Sequence, residues 1–135
     1  MNMRNANQLL KTTLISNAIF SMISGMLLIG LNSFFMVLFK VSHFQFWPIG
    51  VGLIGFSLLA FSIGLRYFDK PKKIMMIIIS DLVWVIASVF VLLTKPLSIS
   101  FEGYLVIAVI AIIVGSFCVL QYLGIKTIDD RQRLD

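Results

Sequence analysis

The sequence predicts an all-α polytopic membrane protein, a single bundle of four transmembrane helices over residues 1–135. Three observations carry that reading. Of the 135 residues, 59% are hydrophobic and only 13% are charged, against about 25% charged in soluble domains. The mean hydropathy of +1.01 excludes both an ordinary soluble domain and a disordered chain, which needs low hydrophobicity and high charge. The apolar residues also gather into four runs, each close to the ~20 residues that cross a bilayer as a helix.

The first run covers about 10–31. It is too long for the apolar region of a leader peptide, and no small-x-small cleavage pattern follows it, so it reads as a span. Asn17, Phe20 with Ser21, and Ser24 with Gly25 recur along it at helical spacing. The following segment, 32–47, carries Phe34, Phe35, Leu38, Phe39, Phe44 and Phe46 but is too short to span. Its aromatic content predicts an interfacial helix or lid lying on one end of the bundle. The alternative is an extended first helix and a short loop.

The second run, about 48–65, starts with Pro48 in its first turn, where a missing N–H costs nothing. Gly50-x-Gly52-x-x-Gly55 spells a dinucleotide-binding fingerprint, but no strand precedes it. The physical reading is close helix packing through small residues, joined by Ser57 and Ala60. Asp69 is a candidate N-cap ahead of Pro71, which opens the third run, about 74–93. Pro96 falls in the next loop, so all four helices are expected to be continuous. The fourth run covers about 104–123 and ends near Gln121 and Tyr122, a pair suited to anchoring at an interface or, as the alternative, to lining an inner vestibule. Cys118 reads as a small buried hydrophobe.

The third run contains Asp81. At ~1.5 Å per residue it lies roughly 10 Å inside the hydrocarbon boundary, near the bilayer centre. Inserting an aspartate there costs about 2.5–3.5 kcal/mol, whereas interhelical polar bonds in membranes average only ~0.6 kcal/mol. Structural glue is thus a poor reason for an acid, and an intramembrane carboxyl is by default a functional candidate. Trp84 and Ser88 follow on the same helical face. No lysine or arginine lies deep within a span to pair with Asp81, Lys11 standing at the very start of the first run. The polar groups expected within its reach are Asn17, Ser21, Ser116 and the Trp84 ring N–H.

Two stretches align at an offset of 64 residues. Ser16-Asn17-x-x-Phe20-x-x-x-Ser24 matches Ser80-Asp81-x-x-Trp84-x-x-x-Ser88, and Arg66-Tyr67 resembles Gln121-Tyr122 at an offset of 55. The halves therefore read as two similar hairpins related by an axis along the membrane normal. On that reading Asn17 and Asp81 share one depth and face each other.

Basic residues set the expected orientation. Arg4, Lys11, Arg66, Lys70, Lys72, Lys73, Lys126, Arg131 and Arg133 fall on one side, and only Lys40 and Lys95 on the other. The positive-inside rule then makes both termini cytoplasmic. Trp47 and Tyr104 mark the outer boundary, and Tyr67 and Tyr122 the inner one. The cluster at 66–73 suits anionic lipid heads.

The charge of +5 does not point to nucleic acid, because the basic residues flank apolar runs instead of forming a basic patch. A single cysteine excludes an internal disulfide and a cysteine metal site. His43 stands alone in a loop. No triad can assemble with His43 outside and Asp81 deep in the bilayer, and no carboxylates pair, because Glu102 falls at the outer edge and Asp129 and Asp130 in the tail. No cofactor, metal or enzymatic activity is expected.

Asn17-x-x-Phe20-Ser21-x-x-Ser24-Gly25 and Asp81-Leu82-x-Trp84-Val85-x-x-Ser88 resemble motifs of a family of small four-helix bacterial membrane proteins without an assigned activity. The resemblance covers most of the chain and implies a four-span bundle in the inner membrane. Small multidrug transporters are similar in size and span count but carry their essential acid in the first span, where this chain has Asn17.

Two functions are therefore expected to compete. In the first, a polar pocket around Asp81, with Asn17, Ser21, Ser24, Trp84 and Ser88, binds or translocates a small cation, a proton or an amphipathic ligand. In the second, the chain is an accessory or assembly subunit whose Asp81 face pairs with another membrane protein or a second copy. A pocket beside Asp81 favours the first, and a carboxyl facing lipid favours the second.

Overall fold

A computed structural model describes residues 3–41, 46–68, 70–95 and 98–132, the side chains of 3, 131 and 132 excepted. His43, Phe44, Asp69 and Pro96 lie outside the described residues. The described chain is helical, in the order α1 (Met3–Gly30), α2 (Asn32–Phe39), α3 (Trp47–Arg66), α4 (Pro71–Thr94) and α5 (Phe101–Gln132). Four of these helices are long and apolar enough to cross a membrane. The architecture is the all-α four-span bundle expected from the hydropathy.

Each helix overruns the apolar run that announced it, because polar first and last turns continue the hydrogen-bond ladder. At 32 residues, α5 is ~48 Å long at 1.5 Å per residue, well beyond a ~30 Å hydrocarbon core. Pro48 and Pro71 both occupy the first turn of their helices. Lys70 takes the N-cap position of α4, without a side-chain cap bond.

The segment after the first span forms α2 over Asn32–Phe39. The Leu31 N–H still bonds to Leu27 and the Phe35 N–H to Leu31, so a single non-helical residue (φ −110°) separates α1 from α2. Lys40 and Lys95 end α2 and α4 in the left-handed region, at φ 56° and 45°. That conformation costs a non-glycine residue roughly 1–2 kcal/mol, partly offset by a cation at a helix C-terminus.

Helix order around the bundle follows from packing. α1 packs most extensively on α3, then α4 on α5 and α1 on α5, whereas α3 and α4 barely touch. α1 and α4 are therefore diagonal partners, and the α3/α4 seam is the loose one. A two-fold relation between hairpins would make the α1/α5 and α3/α4 seams equivalent, but here one is closed and the other is not.

The core sits at the end that carries both termini. Leu10, Leu14 and Ala18 of α1 pack there with Ala60 and Ile63 of α3, Ile74, Ile77 and Ile78 of α4, and Ile125 of α5. Lys73 lies over the Tyr67 ring, 3.1 Å from its centroid, where the α3–α4 turn closes this end. At the opposite end α2 docks on the start of α5. The Ser100 N–H donates to Phe39 O at 3.1 Å, and the Ser100 hydroxyl bonds to Leu38 O. Phe39 and Phe46 are buried there with ring centroids 5.2 Å apart.

The glycine fingerprint on α3 divides between two roles. A Cβ on Gly50 would stand 2.7 Å from Gly25 O, and a Cβ on Gly25 would stand 2.7 Å from Gly50 O. These two glycines bring the backbones of α1 and α3 together, and Ser57 and Ala60 are buried farther along the same helix. Gly52 and Gly55 face open space with nothing within 4 Å. The expected packing role therefore holds for Gly50 and fails for Gly52 and Gly55, which point away from α1.

Candidate functional site

Asp81 is buried on the inner face of α4, at 4% exposure. Asn17, fully buried on α1, donates from Nδ2 to Asp81 Oδ2 at 2.6 Å. The two residues are 64 positions apart, the same offset that aligns the two halves of the sequence. The bond crosses the bundle between diagonal helices. The carboxyl thus faces protein and not lipid, and it holds a directional donor in a medium where an unpartnered polar group costs several kcal/mol.

Among the described residues, none of the other expected partners, Ser21, Ser116 and the Trp84 ring N–H, hydrogen-bonds to Asp81, although Ser21 and Trp84 line the same cavity. Ser116 is exposed, and its hydroxyl returns to Ile112 O of its own helix. The Ser88 hydroxyl bonds to Trp84 O one turn back. Cys118 is half-buried and donates weakly from Sγ to Ile78 O at 3.8 Å.

Asp81 forms part of the wall of a cavity of about 380 Å³. Ser21 and Ser24 of α1 and Ser80 and Trp84 of α4 also line it, together with Phe20, Phe35, Phe56 and aliphatic side chains. Among the described residues, Asp81 is the one charged residue on its wall. A second cavity of about 250 Å³ lies farther toward the α2 end, between Ser88, Val91, Phe39, Phe46 and Ile99. Trp84, Leu28, Ile49 and Ile110 line both. The six sequence candidates are thus distributed in a column. Asn17 holds the carboxyl, Ser21 and Ser24 line the first cavity with Asp81, Trp84 stands between the cavities, and Ser88 belongs to the second.

Gln121 was expected to anchor at an interface, with the lining of an inner vestibule as the alternative. The structure instead buries it completely in α5, while its neighbour Tyr122 is half exposed at 52%. Neither Gln121 amide atom finds a hydrogen-bond partner among the described residues, and nor does Asn17 Oδ1. Register places Gln121 close to the site. Phe117, one turn before it, meets Phe20 with ring centroids 6.1 Å apart, and Gly124, one turn after it, packs on Leu10. Interpolating between these contacts at 1.5 Å per residue puts Gln121 about 4 Å from the level of Asn17, toward the terminal end. A glutamine next to an interfacial tyrosine reads as interfacial in a linear sequence. Only the packing of α5 in the bundle shows that this face turns inward.

An unpartnered buried amide costs about 1–3 kcal/mol. Gln121→Leu, which conserves volume approximately and deletes the amide, is therefore expected to stabilise the bundle by ~1 kcal/mol or more in detergent unfolding titrations. A loss of stability instead would assign the amide to a bound water or ion in the folded protein.

Among the described residues, no three His, Cys, Asp or Glu side chains gather as a metal-ligand group. Chemically, the site offers one carboxyl held by one amide, facing an aromatic and aliphatic cavity. Cavities of this size suit a small ligand with one polar group. No protein-family model matches the chain, and neither a curated protein nor a solved structure matches it.

Proposed function

We propose that this bundle binds a small amphipathic cation, its charged group at Asp81 and its apolar part in the adjoining cavity. The observation that carries this reading is a cavity of about 380 Å³ whose only charged wall residue, among the described residues, is a carboxyl. Its aromatic rings, Phe20, Phe35, Phe56 and Trp84, add cation–π attraction, worth ~2 kcal/mol when desolvated. Asp81 turned inward and bonded to Asn17 supports a site within the chain over a face reserved for another membrane protein. A lone carboxyl with an amide partner also lacks the second acid or base that most hydrolytic chemistry requires, which supports binding or translocation over catalysis.

The test is a charge series on one chain length. Dodecyltrimethylammonium, dodecanol and dodecyl sulfate are titrated against the protein in nanodiscs, with Trp84 fluorescence as reporter and Trp47 replaced by Phe. Saturable binding is expected for the cation, weaker binding for the alcohol and none for the sulfate. Equal responses to all three would refute the site.

The resemblance to small bacterial four-helix proteins and the bias of basic residues support an inner-membrane location with both termini in the cytoplasm. Reporter fusions at residue 135 and in the loop around residue 96 are expected to report inside and outside respectively. A C-terminus outside would reverse the orientation.

A further inference from the structure

Among the described residues, the cavity beside Asp81 is bounded at both ends of the bundle axis and loose at one side. Toward the termini, the Leu10–Leu14–Ile74–Ile77 core blocks it. Toward the other end, Phe35 lines the first cavity, and buried Phe39 and Phe46 line the second beneath α2. Around the circumference, α1 is packed to α3 and to α5, and α4 to α5, but α3 and α4 barely touch. The two helices are held at their turn by the terminal core, to which Ala60, Ile63, Ile74 and Ile77 all belong. Beyond it, cavity residues stand on both edges of the gap. Gly52 of α3 is exposed with nothing within 4 Å of its Cβ position, and Ser80 and Trp84 of α4 are exposed as well.

We propose that the ligand is a membrane-partitioned single-chain cation that reaches Asp81 sideways from the bilayer, between α3 and α4. This deepens the binding reading above and rests on it. A ligand arriving from water would have to cross either the packed terminal core or the aromatic cover. A ligand already dissolved in the bilayer meets neither. Its apolar chain can remain in lipid at the seam while only the head enters, so a cavity smaller than the whole amphiphile suffices. Gly52 serves this by having no side chain, which explains a glycine in mid-helix that makes no close contact.

The opening is tested without any cation. With Trp47 replaced by Phe, Trp84 is the sole tryptophan. Its fluorescence is compared in nanodiscs of brominated-chain and ordinary phosphatidylcholine. Gly52→Phe, which fills the gap from the α3 side, is expected to reduce brominated-lipid quenching at least twofold. Leu58→Phe, exposed on α3 and away from the cavities, should leave quenching unchanged. Ser80→Phe fills the gap from the α4 side and serves if Gly52→Phe does not fold. Aqueous iodide is expected to quench little in every case. Equal brominated-lipid quenching in the filled variants and Leu58→Phe overturns the lateral opening, as does strong quenching by iodide. A bundle that passes this test yet ignores dodecyltrimethylammonium loses the ligand assignment and keeps the opening.

Discussion

Asp81→Asn is expected to weaken dodecyltrimethylammonium binding about 100-fold, equivalent to ~2.7 kcal/mol, while leaving the melting temperature in detergent unchanged or higher. Asparagine has the shape of aspartate, and its carbonyl oxygen can accept the Asn17 Nδ2 bond now made to Asp81 Oδ2 at 2.6 Å. What it lacks is charge. Removing one partner of a desolvated charge pair typically costs a complex about 2–5 kcal/mol, so the effect falls on affinity. In the free bundle the same change deletes a charge that costs about 2.5–3.5 kcal/mol to insert at mid-membrane, so stability should not suffer. The two measurements belong together. A variant that binds as well as the parent removes Asp81 from the site. A variant that melts early makes the carboxyl a structural ion, held by groups for which neutral asparagine cannot substitute.

Gly50→Val is expected to destabilise the bundle by roughly 3 kcal/mol or more, since overpacking at a side-chain contact already costs about 1–3 kcal/mol. Here the clash is with backbone. The new Cβ would lie 2.7 Å from Gly25 O, and no rotamer change can relieve it, so α1 and α3 must separate. That pair is the most extensively packed in the molecule. Gly52→Ala and Gly55→Ala act on the same helix with the opposite sign. Their Cβ positions meet nothing within 4 Å, and alanine gains about 0.5–1 kcal/mol over glycine in a helix interior. SDS unfolding titrations of the three variants measure the contrast. Comparable losses at all three positions would show that the whole glycine motif packs against another helix, as the spacing alone suggested.

That glycine motif marks the boundary between what could be read and what could not. Number and approximate extent of spans follow from hydropathy, because crossing a lipid core requires ~20 apolar residues whatever the tertiary structure. Depth is equally linear. A helix rises 1.5 Å per residue, so Asn17 and Asp81 could be placed at one level from their positions in two spans running the same way.

Azimuth is a different matter. A soluble helix shows its buried face by where the apolar residues stop. A membrane helix is apolar on the lipid side as well, so the pattern is nearly silent about which side meets protein. Asp81 and Asn17 escape this because a polar side chain at mid-bilayer must turn inward. The sequence by itself therefore determined a four-span membrane bundle with an acid of the third span level with an amide of the first. Only the tertiary structure decided that Gly50 packs and Gly52 does not, that Gln121 is buried, that Ser88 lines a cavity separate from Asp81, and that the α3/α4 seam is loose while the α1/α5 seam is closed. Each of those depends on how the helices rotate and cross to bring small residues against backbone, and those contacts leave no periodic trace in a chain that is apolar on every side.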